Sequence, residues 1–148
     1  MDIREFLIDP AGMDWKTLLA YWTPPLGEGV EIWFVNKLGE LFVVAPDGKV
    51  QWVVVGKGEV MDVATSREAF ARQLDTRERA DEWLRIPLAR ACAAAGARLE
   101  RGECYGFRIP PALMGKYEAS NLVPTNLRSH YSWLAHMSKQ DEIYWMGD

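Results

Sequence analysis

The chain has 148 residues, of which 49% are hydrophobic and 26% are charged, and its formal net charge is −4. A chain of this length can bury one sizeable core, so we expect a single domain over residues 1–148. Its apolar runs are shorter than the roughly 20 residues that span a membrane, and its first ten residues, "MDIREFLIDP", do not resemble a secretory signal. We therefore expect a cytoplasmic protein with no membrane partner.

The first predicted element is a helix within "IDPAGMDWKTLLAYWTPP". Asp9 is the expected N-cap before Pro10, and the adjacent prolines 24 and 25 end the element. The apolar side chains between these signals recur at helical spacing and comprise Trp15, Leu18, Leu19 and Trp22.

Three strands are predicted next, over residues 31–36, 40–45 and 49–55. They are rich in β-branched and aromatic residues, and the turn "PDG" between the last two favours an antiparallel meander. Both faces of the strands are apolar, so we expect other elements to cover the sheet on each side. The side chains expected to be mostly buried are Trp33, Phe34, Phe42, Val44, Trp52 and Val54.

Three helices follow the strands. Thr65 and Glu68 form a capping-box pattern before the first helix, and Thr76 is the expected cap of the second. The third begins at Pro87 and ends at Gly96. Three strands followed by three helices indicate an α+β fold with a central, mostly antiparallel sheet and helices packed around it.

The remaining sequence predicts two strands, at about 103–109 and 117–123, and a helix over 125–139. The helix would present Leu127, Tyr131 and Leu134 on one face. The tail "DEIYWMGD" is predicted to form a last short strand.

The residue patterns give little support for catalysis or metal binding. Cys104 falls within a predicted strand, where a single cysteine usually acts as a small apolar residue. His130 and His136 are six positions apart, which places them on roughly opposite sides of a helix rather than on one chelating face. Cys92 and Cys104 have no zinc-type spacing around them. We therefore expect a protein without catalytic residues, metal or cofactor.

Basic residues do not indicate nucleic-acid binding either. Nine arginines lie between Arg67 and Arg108, but seven acids are interspersed among them. Acidity is instead concentrated at the chain ends, because residues 1–31 hold six acids against two cations, and residues 139–148 hold three against one. If the fold brings the two ends together, these acids form a face that attracts a basic partner and repels nucleic acid. The alternative is that they are simply solvated.

Several stretches together resemble a bacterial family of type VI secretion immunity proteins, the cognate inhibitors of a secreted DNase effector. The resemblance is carried mainly by "FVNKLGELFVV", "DGKV" and "GECYGFRIPPALMGKYEASN" and extends over nearly the whole chain. It implies a non-enzymatic antitoxin that binds and neutralises a cognate toxin by covering its active site. It also implies that the last stretch is a structural motif, in which Gly102 and Gly106 permit close backbone approach and Pro110 and Pro111 end a strand. In the same motif Gly115 makes a turn, and the side chain of Asn121 forms hydrogen bonds with backbone groups in the loop after the return strand.

The sequence departs from that family at two places. Met114-Gly115-Lys116-Tyr117 stands where such proteins usually have paired glycines and an acid before the tyrosine, and the tail lacks their usual turn and strand. Loops and tails of this kind are where immunity proteins would differ in order to recognise different toxins.

Two surfaces are candidates for partner binding. The tail combines Asp141 and Glu142 with Tyr144 and Trp145, and is the first choice; the alternative is that these aromatics pack back on the domain. The second surface is the glycine-flanked loop that carries Glu28 and Glu31.

A competing functional hypothesis is an enzyme or small-ligand module with a pocket near Tyr105, Phe107 and Tyr117. The sequence leaves the oligomeric state open.

Overall fold

A computed structural model describes residues 2–146, with side chains described through residue 138. In chain order it contains one short helix, four strands, three helices, a two-stranded hairpin and a long helix. The helices are α1 (Trp15–Ala20), α2 (Arg67–Leu74), α3 (Arg77–Trp83), α4 (Ile86–Ala94) and α5 (Leu127–Met146). The strands are β1 (Glu31–Val35), β2 (Leu41–Val44), β3 (Val50–Val54), β4 (Glu59–Ala64), β5 (Glu103–Phe107) and β6 (Leu122–Asn126).

Two antiparallel sheets give the α+β architecture that the sequence predicts. The larger sheet is a meander in the order β1-β2-β3-β4, and the smaller one is the β5-β6 hairpin. The three predicted strands of the meander are confirmed to within one residue at each end. Its fourth strand, β4, was not predicted.

The meander is covered on both faces, as its apolar pattern predicts. On one face Phe42 and Trp52 lie opposite each other in register and pack with Phe70 of α2 and Trp83 of α3. The rings of Phe70 and Trp83 stack with centroids 4.5 Å apart. This face is therefore an aromatic core that joins the sheet to two helices.

The opposite face packs against the C-terminal part of the chain. Leu41, Val43 and Val53 belong to a core cluster that also holds Leu127 and Tyr131 of α5, both fully buried. The cluster extends to residues of α1 and of the β5-β6 hairpin. The prediction that α5 presents its apolar residues together is confirmed.

Two of the three predicted N-caps are wrong. Asp14, not Asp9, is the N-cap of α1, and its carboxylate accepts from the backbone N–H of Thr17. Ser66, not Thr65, caps α2 by accepting from the N–H of Ala69. In both cases the observed cap is an oxygen-bearing side chain that accepts from the backbone N–H three residues further on. The predicted Thr76 cap of α3 is confirmed.

The C-terminal third contains two further corrections. The return strand β6 begins at Leu122 rather than near residue 117, because residues 111–121 form a loop with two short 3-10 turns. Residues 141–146 belong to α5, so the predicted short strand at the tail is wrong. Two of the expected core residues, Trp33 and Phe34, are only half-buried, since they lie on the edge strand β1.

We predict that Trp52→Ala lowers the free energy of unfolding by about 3–5 kcal/mol, because it leaves a cavity in a close-packed aromatic cluster. Trp52 is 6% exposed and its ring stacks on that of Phe42 at 5.7 Å. Urea denaturation of both proteins would measure the difference. Gln51→Ala, at the neighbouring half-buried position, is the control and should change stability by less than about 1 kcal/mol. An unchanged midpoint for Trp52→Ala would contradict this description of the core.

Candidate functional site

An open groove lies between α1 and the loop that leads into β1, and its volume is about 840 Å³. Its floor is formed by half-buried apolar side chains, while charged side chains stand at its rim. The residues concerned are Trp15, Leu19, Val30 and Ile32 in the floor, and Lys16, Glu28 and Glu31 at the rim. We call this feature the acid-rimmed groove, because two of its three charged residues are acidic.

Both walls of the acid-rimmed groove are anchored to the fold. On one wall the indole N–H of Trp15 donates to the carbonyl oxygen of Pro10 at 2.7 Å, and Asp14 caps the helix. On the other wall Leu26 is buried, with 1% of its surface exposed, which ties the acidic loop to the core. The groove is thus a formed surface rather than a gap between loose segments.

The structure brings Glu28 and Glu31, predicted from the sequence as a pair, to this one rim. Glu31 forms an exposed ion pair with Arg67 at 3.2 Å, and the Arg67 guanidinium lies 5.5 Å from the ring centroid of Trp33. Glu28 is exposed and forms no ion pair within the described part of the chain. An exposed pair such as Glu31–Arg67 contributes at most about 1 kcal/mol, so Arg67 leaves the Glu31 carboxylate accessible to another cation.

The first-choice partner residues of the sequence analysis are Asp141, Glu142, Tyr144 and Trp145. They fall in the last turns of α5, and their side chains lie outside the described residues.

Asn121 lies immediately before the return strand, not after it as the sequence suggested, and joins the two ends of the loop between β5 and β6. Its side-chain oxygen accepts from the N–H of Ile109, and its side-chain nitrogen donates to the carbonyl oxygens of Ile109 and Lys116, each at 2.9 Å. One side chain therefore closes this loop with three hydrogen bonds.

The three glycines of the structural motif predicted from the sequence have different roles. A side chain at Gly115 would overlap the carbonyl oxygen of Ile109, and one at Gly106 would press on Thr125 and His130. Gly102 differs from the expectation of close approach, since open space surrounds it and its φ is +82°, a backbone conformation that favours glycine. Pro110 and Pro111 follow β5 and open the 3-10 turn at 111–113.

Cys104 and His130 are buried in the core. Burial raises the pKa of the Cys104 thiol and so favours the unreactive protonated form. Burial also lowers the pKa of His130 to about 4. The ring is therefore neutral near pH 7, and its Nε2–H donates to the carbonyl oxygen of Leu38 at 3.1 Å. His136 is exposed, which agrees with the prediction that the two histidines lie on roughly opposite sides of the helix.

Sequence reasoning missed a buried polar network centred on Glu40, which is 1% exposed. The Arg85 guanidinium binds its carboxylate in bidentate fashion through Nε and Nη2, both at 2.9 Å. The side-chain nitrogen of Asn36 donates to the same carboxylate at 2.9 Å and also to the carbonyl oxygen of Trp83. An acid immediately before the fully apolar strand β2 was the available signal, but its partner Arg85 is 45 positions away.

Arg85 is held in an unusual conformation within this network. Its φ is +52°, in the left-handed region, and its guanidinium lies 4.6 Å from the ring centroid of Tyr117 and 5.4 Å from that of Trp52. Burial, together with the Glu40 carboxylate, raises the pKa of Tyr117 to about 12. Arg85 thus joins the sheet, the α3–α4 junction and the segment that leads into β6.

The alternative pocket of the sequence analysis is not formed as expected. Tyr105 lines a cleft of about 330 Å³ with Lys37 and Arg90, whereas Phe107 and Tyr117 pack edge-on against each other at 5.1 Å.

In the part of the chain that the structure describes, no group of acids, cysteines and histidines could hold a metal ion. Among the described residues, no helix combines the length and apolarity needed to cross a membrane.

Residues 64–138 match the protein family described as "T6SS immunity protein Tdi1, C-terminal", which is just over half of the chain. The chain belongs to this family of type VI secretion immunity proteins. No curated protein and no solved structure matches it. The part matched to the Tdi1 family contains Arg85 and the loop closed by Asn121, whereas the acid-rimmed groove lies before it.

We predict that this immunity-family chain loses stability as the pH falls from about 6.5 to about 4, through His130. The pKa of His130 is lowered from 6.5 to about 4 in the native state, so the unfolded chain binds a proton in this window that the native chain does not. The contribution of this residue amounts to about 3 kcal/mol over the window and levels off below it.

Urea denaturation across this pH range would measure the effect. His130→Gln should flatten the pH dependence relative to the wild type, while the control His136→Gln, at an exposed position, should not. Equal slopes for His130→Gln and wild type would show that His130 does not carry the effect.

Proposed function

We propose that the chain is a non-enzymatic immunity protein that binds a cognate secreted toxin, a nuclease, and covers its active site. Membership of the Tdi1 immunity family is the observation that carries this proposal. The burial of Cys104 and His130 supports a binding role, since neither side chain is available to a substrate.

The charge of the acid-rimmed groove fits a nuclease partner. A nuclease presents cationic side chains to DNA phosphates, and carboxylates placed against them can occupy the positions of those phosphates. Glu28 stands on an anchored loop and Glu31 begins β1, so little ordering is required before they bind. The same charges repel nucleic acid, which supports a protein rather than DNA or RNA as the partner.

The apolar floor of the groove supplies the second element of an interface. Trp15 and Leu19 are half-buried and line the groove beside the acids. An apolar side chain of the toxin inserted there would exclude water from the surrounding ion pairs. Such central apolar contacts with a charged rim carry most of the affinity in protein interfaces.

The tail is proposed as a further contact on the grounds of its sequence. Asp141 and Glu142 would supply carboxylates, and Tyr144 and Trp145 would supply aromatic anchors.

We further propose that residues 1–148 act as one domain in the cytoplasm, where an incoming toxin would be met. One core cluster includes Ile8 near the N-terminus and Ala135 in α5, which supports joint folding of the family-matched part and the part before it.

We predict that Glu28→Lys combined with Glu31→Lys weakens binding to the toxin domain of the cognate effector. Repulsion from a basic cleft should slow association at least tenfold at low salt, with a smaller effect at high salt. Surface plasmon resonance at several salt concentrations would measure the association rate. Glu78→Lys combined with Glu100→Lys is the control, because it changes the net charge equally at exposed positions outside the groove.

Two results would count against these proposals in different ways. Failure of the wild-type chain to bind the toxin domain or to protect cells that express it would reject the immunity function. Equal association rates for the groove and control variants would leave that function in place but move the interface away from the groove.

A separate prediction concerns the tail. Trp145→Ala should reduce the binding free energy by about 2 kcal/mol or more if the tryptophan is an anchor. Isothermal titration with the same toxin domain would measure it, and Trp133→Ala, at a partly exposed position of the same helix, serves as the comparison. A tail variant with wild-type affinity would exclude this residue from the interface.

A further inference from the structure

The loop between β5 and β6 exposes an unusual concentration of apolar surface. Of the five large hydrophobic side chains exposed among the described residues, three lie in residues 109–114, which we call the apolar loop. Ile109 is 53% exposed, Leu113 is 61% exposed and Met114 is 88% exposed. Large apolar side chains grouped in this way on a surface mark interaction sites.

The apolar loop has a fixed shape. Asn121 binds its first residue through both N–H and carbonyl oxygen, and the N–H of Gly115 donates to the carbonyl oxygen of Pro110 at 3.0 Å. Pro110 itself is buried. The side chains of Leu113 and Met114 therefore project from a closed, hydrogen-bonded base, so a partner would bind them with little loss of backbone freedom.

The stability of the fold does not account for a methionine at position 114. Its φ is +68°, in the left-handed region, where glycine would be less strained than methionine. Its side chain is almost fully exposed, so it contributes little to the core. Met114 therefore strains the backbone without contributing to packing, which is the pattern expected of a residue kept for binding.

The chain segments that flank the apolar loop in the sequence carry two exposed cations. Arg108 and Lys116 flank it, are exposed and form no ion pair with any described residue, while Glu118 is the nearest acid on the C-terminal side. The complementary surface is an apolar pocket with acidic residues at its edge. This chemistry differs from the basic cleft that suits the acid-rimmed groove.

We propose that the apolar loop inserts Leu113 and Met114 into an apolar, acid-edged pocket on the toxin, outside its DNA-binding cleft. This inference rests on the proposed immunity function. The loop lies within the residues 64–138 that match the immunity family. A stable complex buries about 800 Å² on each partner, which is more than the rim of one groove provides, so a second contact is required.

The test is the affinity of Met114→Gly for the toxin domain of the cognate effector, measured beside that of the wild-type chain. Glycine relieves the left-handed backbone, so the variant should melt at the same temperature or higher. Its affinity should nevertheless fall about 30-fold or more, the usual loss at an interface hot spot. Leu113→Ser should weaken binding similarly. Met61→Ala, at an exposed methionine on β4 outside the loop, should bind as the wild type does.

The possible outcomes separate the two proposals. If the wild type binds the toxin domain and both loop variants bind equally well, the apolar loop is not a toxin contact and this inference is wrong. If the wild type does not bind at all, the proposed function itself fails. The loop could instead bind a second copy of the chain, and sedimentation of the chain alone tests this alternative. If the wild type is a dimer that Met114→Gly dissociates while toxin affinity is unchanged, the loop is a dimer contact and the proposal is overturned.

Discussion

The Glu40 carboxylate is fully enclosed by the fold, and such a charge is tolerated only when a cation and further hydrogen bonds satisfy it. Arg85 supplies the cation in bidentate geometry and Asn36 supplies an additional donor. Removal of one member of such a pair typically costs about 3–5 kcal/mol, because the other charge is left buried and unpaired. The turn before β2 and the junction of α3 and α4 are thus held to one relative position.

The same pair connects the core to the proposed binding surfaces. Arg85 packs against the ring of Tyr117, and Tyr117 packs against Phe107 at the end of β5. These contacts lie at the base of the loop that Asn121 closes. The meander that Glu40 helps to fix also carries β1 and the acidic loop before it. A rigid centre of this kind presents two surfaces of opposite chemical character without requiring either to fold on binding.

Sequence reasoning located the elements whose signals are local. The meander was predicted because apolar strands and the turn at Pro46-Asp47-Gly48 are contiguous, and the burial of Cys104 followed from its place in a strand. β4 was missed because it is an edge strand with exposed Glu59 and Asp62, which weaken the apolar pattern.

Features that depend on distant contacts could not be predicted in the same way. The Arg85–Glu40 pair joins positions far apart in the chain, and Arg85 gives no sign in the sequence of its left-handed backbone. The return strand was placed too early because Tyr117 resembles a strand residue, whereas its ring is used to pack on Phe107 and Arg85. Glu28 and Glu31 were selected for charge and flanking glycines, but the groove beside them depends on α1. The exposure of Met114 became visible only once the loop geometry was known.

The central claim is that a rigid chain of the Tdi1 immunity family binds its toxin through two preformed surfaces. Hydrogen–deuterium exchange of the chain, alone and saturated with the toxin domain of the cognate effector, tests it most directly. The account predicts slower exchange on binding at residues 26–32 and 109–115, with little change in the core strands β2 and β3. Protection confined to other regions, such as α2 and α3, would contradict it.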